Sequence, residues 1–370
     1  MKEQYQSEVS QIQASARFKE QLKERMAHGE APLCAPLPSF KNIVLLCSCL
    51  LLIITSLFAY AYLSKPSLPL LTISSNTSNQ PSGIGSIGTL GDDASLLKHQ
   101  NPYTPQENDT LPVFANPHAE ENWYLSTQED EVLLPILEKM AKQFHLEDYT
   151  IKHMEKDPDP YMINSNLYLE CAEGKLILYT KTSAYFLLNE ETSYDLSGQT
   201  QEEVRLKTER FLTQCDWIDF EDPLIDVMLT QHIEGSNRWQ ILISEEKEEP
   251  TDALIEQQLH SFTLTLDSEG MLQSISYQDV DTSDVLGNYP LKSEEEALDA
   301  LLQGNCISYF SEQVQQDDPI GFWEIVYGTY ATNDYYLPYY KFYVLQDVGN
   351  TQFYVPYYVI AIQDDYLIAS

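Results

Sequence analysis

Six tyrosines near the C-terminus, Tyr335, Tyr336, Tyr339, Tyr340, Tyr357 and Tyr358, are the densest group of ligand-competent side chains in this 370-residue chain. Rings that carry hydroxyls suit recognition surfaces, where Tyr is enriched. They are the candidate partner or ligand surface, for a peptide or a glycan. Adjacent residues of an extended strand point to opposite faces, so half of these rings are expected in the core and half outside. Aromatic cross-strand packing in a small sheet is the alternative that needs no ligand. Pro338 and Pro356 fit strand starts at sheet edges, where a partner strand could add.

Patterns that would support catalysis are weaker. No GxSxG is present and no Cys lies in a His-paired motif, so a nucleophile beside its base is not legible. Metal binding needs clustered ligands. His145 and His153 are the nearest histidines of the globular part, and HExxH and CxxC do not occur. The run Asp279-Val280-Asp281-Thr282-Ser283-Asp284 has the acidic start of a calcium loop but lacks Gly at its sixth position, and Pro290 stands where the twelfth-position Glu is needed. It reads as a solvated acidic turn, as does Asp157-Pro158-Asp159-Pro160. Gly83-Ile84-Gly85-Ser86-Ile87-Gly88 matches GxGxxG, but no strand feeds it and no helix follows, which a dinucleotide site requires. The expectation is a protein that is not an enzyme and has no catalytic residue, metal or cofactor, with an envelope hydrolase as an alternative.

The elements that position these residues follow from charge and hydropathy. With 57 acidic and 21 basic residues the formal charge is −36, which repels phosphate backbones and argues against nucleic acid as a partner. Ile43 to Leu63 is a run of 21 uncharged residues, about the length that crosses a bilayer. The first 41 residues carry six Lys or Arg against five Glu; everything after Leu63 carries 15 basic against 52 acidic. That bias predicts a single-pass protein of the cell membrane with its N-terminus in the cytoplasm and its C-terminal domain outside. A cleaved signal peptide ending near Ala59-Tyr60-Ala61 is the competing reading. Cys171, Cys215 and Cys306 are expected as buried thiols, a Cys171–Cys215 or Cys215–Cys306 bridge being the alternative.

Along the chain five segments are expected. Residues 1–41 form a cytoplasmic head with a short helix whose Phe18, Leu22, Arg25 and Met26 share a face, either a plain anchor or a docking site for a cytoplasmic protein. Residues 42–63 form the transmembrane helix. Residues 64–118, with seven of the 19 prolines and only two aromatics, read as a disordered linker. Residues 119–285 and 286–370 carry three hydroxyl-to-Glu capping boxes, Ser126/Glu129, Thr200/Glu203 and Ser293/Glu296, each opening a helix. Each helix is followed by alternating β-branched and aromatic runs joined by short turns, such as Asp267-Ser268-Glu269-Gly270. The fold class expected is α+β: repeated helix-on-antiparallel-sheet modules outside the membrane, after one transmembrane helix.

Two stretches carry resemblances. Glu8 to Lys23, with Gln11-Ile12-Gln13-Ala14 ahead of Leu22, resembles the N-terminal heads of clostridial single-span proteins of the anti-sigma-factor type. Phe262 to Leu272, Tyr289-Pro290-Leu291-Lys292-Ser293-Glu294-Glu295-Glu296-Ala297-Leu298, Tyr335 to Val344 and Phe353-Tyr354-Val355-Pro356 resemble the outer domains of YycI/YycH-type regulators and, more loosely, PepSY-like modules. The resemblance implies a membrane-anchored Gram-positive regulatory protein that binds an envelope ligand or partner and signals to a sigma factor or sensor kinase. A non-signalling envelope scaffold is the runner-up.

Overall fold

The computed structural model describes residue 23 and residues 68–73, 94–98, 100–119, 125, 128–154, 165–189, 191–192, 194–231, 237–308, 313–348 and 351–369. In chain order the first elements are β1 (Leu71–Ile73), α1 (Ala94–Leu97), β2 (Thr110–Ala115), α2 (Asp130–Gln143), β3 (Thr150–His153), β4 (Leu167–Glu170), β5 (Gly174–Thr180) and β6 (Ser183–Leu188). Then come α3 (Gln201–Leu212), β7 (Pro223–Gln231), β8 (Asn237–Glu245), α4 (Pro250–Leu259), β9 (Phe262–Leu266) and β10 (Leu272–Gln278). The last are β11 (Val285–Pro290), α5 (Glu294–Leu302), β12 (Ile320–Gly328), β13 (Tyr335–Val348), β14 (Thr351–Ile360) and β15 (Leu367–Ala369).

Alternation of apolar and polar residues, cleanest in β4 and β9 and broken by apolar runs in β5 and β6, marks the first sheet. Its eight strands run in the order β3-β4-β5-β6-β10-β9-β8-β7, every neighbouring pair antiparallel. One register row crosses all of them: Ile151, Leu169, Leu176, Phe186, Ile275, Leu264, Ile241 and Val227. All but Ile151 at the edge are buried. Leu133, Leu137, Met140 and Phe144 of α2 and Val204 and Phe211 of α3 cover this face. The Phe144 ring meets Phe186, Phe262 and Tyr277 at 5.6, 5.3 and 6.3 Å. Such rings contribute the largest single terms to a core, about 1.5–3 kcal/mol for each one fully buried. The β9–β10 turn closes on Gly270, whose φ of +83° favours glycine, while Asp267 Oδ1 accepts the amides of Glu269 and Met271.

The second sheet brackets the first in the sequence. Its order is β11-β2-β13-β12, with β14 also on β13, and β1 pairs with β15 in a separate parallel pair. Strands from residues 71–115 therefore join strands from residues 285–369, and the whole eight-stranded sheet is an insertion between β2 and β11. Both faces of β13 are covered. Tyr339, Tyr340, Phe342 and Tyr343 are all essentially inaccessible to solvent. Apart from that of Tyr343, their phenols, with those of neighbouring strands, bond the backbone: Tyr340 donates to Lys292 O (2.7 Å), Tyr327 to Pro112 O (2.8 Å) and Tyr289 to Pro69 O (2.9 Å), and Tyr339 accepts from the Ala331 amide (2.9 Å). A buried hydroxyl without a partner would be costly, so these bonds are what permit Tyr in place of Phe.

Several expectations are corrected by this architecture. The fold is dominated by sheets, not by repeated helix-on-sheet modules: β6 pairs with β10, so the strands assigned to separate modules share one continuous sheet. The expected single-pass cell-membrane protein with a cytoplasmic N-terminus is not supported, because no helix among the described residues is long and apolar enough to cross a membrane. The longest, α2, has 14 residues and carries Asp130, Glu131, Glu138, Lys139 and Lys142. The 43–63 run that suggested a span, the head residues Phe18, Leu22, Arg25 and Met26, and the Gly83–Gly88 motif all lie outside the described residues. Part of the expected linker is instead structural: β2 is an interior strand, with Leu111 and Val113 fully buried.

Between the sheets runs a short strap, residues 100–103. The Gln100 amide donates to both carboxylate oxygens of Asp226 on β7 (3.1 Å each), and its carbonyl accepts Gln257 Nε2 of α4 (2.8 Å). One residue on, Asn101 Nδ2 donates to Ile325 O of β12 (2.7 Å), and its Oδ1 accepts the Tyr103 amide (3.0 Å). Four residues thus tie strand β7 of one sheet, helix α4 and strand β12 of the other.

Candidate functional site

The tyrosines expected to form a recognition surface lie mostly in the core. Tyr336, Tyr339, Tyr340, Tyr357 and Tyr358 are buried, and Tyr335 is half-buried. The expected division of rings between core and surface fails because the sheet has no solvent-facing side here. Tyr330, from the turn after β12, lies tilted against Tyr358 at 4.3 Å and meets Tyr339 edge-on at 5.0 Å, while Tyr340 packs against Trp323 at 5.3 Å on the other side. Pro338 and Pro356 stand inside β13 and β14 rather than at their starts. Each is tolerated for a local reason. Pro338 sits where the edge of β13 changes partner from β2 to β14, and its carbonyl takes the Ala361 amide. The carbonyl of Pro356 takes Ser308 Oγ (3.0 Å), so the missing N–H falls on the side of β14 away from β13.

The acidic turn 279–284 does bring titratable groups together. Asp279 leaves β10 and is 15% exposed; its Oδ1 lies 3.6 Å from His260 Nδ1, and its other oxygen pairs with Lys139 Nζ of α2. The His260 ring beside it, with Lys139, holds this carboxyl below the usual carboxylate range against the opposing effect of burial. On the far side of the ring, His260 Nε2 is 3.4 Å from Thr282 Oγ1. Hydroxyl, imidazole and carboxylate in line is the order of a nucleophilic triad. The surroundings oppose that chemistry. The Ser283 amide, adjacent to the hydroxyl, is already donated to Asp281 Oδ1 (3.0 Å), and the Asp281 and Asp284 carboxylates flank Thr282, so negative charge growing on a reacting oxygen would be repelled. The group clasps α2, α4 and the β10–β11 connection together.

Other predicted chemistry falls in scattered places. His153 pairs with Asp130 at 3.5 Å, His145 is exposed, and no group of three or more His, Cys, Asp or Glu among the described residues could hold a metal. Cys171, Cys215 and Cys306 are free thiols, and burial pushes those of Cys215 and Cys306 up to about 11.

A different surface was missed by the sequence reading: the second face of the eight-stranded sheet. A register row on it reads Tyr168, Ile177, Tyr185, Ser276, Thr263 and Leu242, with Asp226 at its end under the strap. The parallel row reads Glu170, Lys175, Leu187, Ser274, Thr265 and Gln240. Most of these side chains are half-exposed, and from β5 to β8 neither row holds a carboxylate. Tyr179 and Tyr185 pack at 5.1 Å, and Lys175 Nζ lies 5.4 Å over the Tyr168 ring, beside Glu170 at 4.0 Å. The signal was present as polar members of alternating runs, Thr263 and Thr265, Ser274 and Ser276, but alternation alone does not say that the polar side is left open.

No family model matches the chain and no curated protein matches it.

Proposed function

We propose that the protein is a binding module that acts by recognition and not by catalysis, and that its recognition surface is the open face of the eight-stranded sheet. One observation carries the reading. In a chain of formal charge −36, two adjacent register rows from β5 to β8 are free of carboxylates and present the Tyr185 ring, hydroxyls and a carboxamide to solvent, with the Tyr168 ring continuing one row on β4. The rows lie on a rigid scaffold whose opposite face is packed by α2 and α3, the support a preorganised site needs. A regulatory role, with a protein partner that responds to the bound state, is the extension of this reading that the sequence resemblance suggests.

Hydroxyl-radical footprinting of the full chain, with and without soluble oligosaccharides or unstructured peptides as probes, tests it. Protection of Tyr168, Tyr179, Tyr185 and Leu242, with Val132 and Leu206 on the exposed helix surfaces unchanged, is the expected result. Protection confined to the helices, or loss of probe binding on His260→Ala alone, would overturn it in favour of a site elsewhere.

A further inference from the structure

We infer that the ligand of this face is an uncharged glycan chain lying across the strands; the inference rests on the binding reading above and adds the class of ligand. The backbone cannot supply the contacts. Strands β4, β5, β6, β10, β9 and β8 are each paired on both sides, so their amides and carbonyls are used within the sheet and recognition on its face falls to side chains. Strand addition, the usual mode for an extended peptide, needs a free edge, and these six interior strands offer none; the edges of the sheet are β3 and β7.

The side chains match a sugar. Ser276, Thr263 and Thr265 carry hydroxyls and Gln240 a carboxamide, groups that donate and accept at once, as the hydroxyls of a pyranose do. Tyr168, Tyr179 and Tyr185 supply ring faces against which the apolar C–H face of a sugar can lie, with a hydroxyl at each ring's end. Leu187 and Leu242 add apolar ground between them. Neighbouring strands are about 4.8 Å apart, so the row from Tyr168 to Thr263 spans roughly 20 Å, room for several sugar rings.

Charge narrows the choice further. The field of a chain at −36 opposes an anionic ligand, and a cationic one would find one carboxylate beside Tyr168, that of Glu170, already paired with Lys152 and Lys175, and none on the two rows between β5 and β8. Lys175 is the only formally charged residue of that stretch, and it is engaged over Tyr168 and beside Glu170. A neutral, hydroxyl-rich polymer is what remains.

The experiment is calorimetric titration of the full chain with maltoheptaose, cellohexaose and N-acetylchitohexaose as neutral probes. Polygalacturonate, a chitosan oligomer and a Ser/Thr-rich peptide complete the set. Saturable binding of at least one neutral glycan, insensitive to salt, is expected, with about tenfold or greater weakening in Tyr185→Ala. Thr263→Arg, a change at a half-exposed position that leaves the rings in place, is expected to abolish binding while the unfolding midpoint stays near that of the parent. Binding only of the peptide, lost in the same variants, would overturn the glycan class and leave the surface standing. Salt-dependent binding of either charged polymer alone would do the same. Binding of no probe, or binding indifferent to both variants, would overturn the glycan inference and the open-face reading together.

Discussion

Glu324 of β12 and Lys341 of β13 stand opposite each other in register, Oε1 to Nζ 3.3 Å, with side chains only 4% and 14% exposed. Tyr343 donates to the same carboxylate oxygen (3.3 Å), and the Lys341 ammonium lies 4.7 Å from the centre of the Tyr343 ring. Burial works to lower the Lys341 pKa, but the Tyr343, Tyr358 and Glu324 oxygens around the ammonium outweigh it and hold the pKa well above the ordinary lysine value.

Removing either partner leaves a buried charge uncompensated. Glu324→Leu and Lys341→Met are each expected to lose about 3–5 kcal/mol, and the double variant far less than their sum. Urea unfolding of the three variants measures this. Additive losses would show that the two groups are not coupled.

Asp279 should shape the acid limb of stability. Its folded pKa lies below the ordinary carboxylate value of about 3.9, so protons bind the unfolded chain more readily. The stabilisation is complete above that value and is lost as pH falls through the lower folded pKa. Asp279→Asn is therefore expected to flatten the fall in urea midpoint below about pH 4. An acid limb of unchanged slope would show that the clasp with His260 and Lys139 does not carry it.

The strap should be a weak point between the sheets. Asn101→Ala removes the bonds to Ile325 O and the Tyr103 amide and is expected to cost about 1–3 kcal/mol. Hydrogen exchange should show faster opening at β12 than at β5. Equal acceleration everywhere would mean that the two sheets open as one.

Thiol chemistry offers an independent check. With their pKa values near 11, Cys215 and Cys306 are expected to react slowly with a disulfide reagent at mildly alkaline pH in the native protein and rapidly in denaturant. Peptide mapping follows each site. A Cys215-containing disulfide in the non-reduced native protein would refute the free-thiol assignment.

What the sequence made readable were local features. Thr200 and Ser293 cap α3 and α5 through the amides of Glu203 and Glu296, as their spacing indicates. The first helix instead begins at Asp130 with Glu129 as its cap, and Ser126 lies outside the described residues. Helix α4 escaped notice although Pro250 at its first turn is a start signal, because its apolar residues lack a clear stripe. Long-range pairing was not legible at all. Nothing in Leu111, Val113 and Phe114 says that they join strands some 170 to 220 residues later, so a proline-rich stretch read as linker. The candidate site was missed for a related reason: whether a tyrosine row is buried or open depends on what packs over it, and that cover comes from distant segments. The Tyr336, Tyr339 and Tyr340 rings lie under such cover; Tyr168 and Tyr185 are left half-exposed.

The insertion of one sheet within the other fixes an order of events on the ribosome. Strands β3 to β10 form a sheet from one contiguous part of the sequence that can close as soon as it has emerged, whereas β2 leaves the tunnel early and must wait for β11 and β13. Through that interval its apolar side chains have no native neighbour, so the nascent chain is most exposed to aggregation, and most in need of a chaperone, at its earliest interior strand.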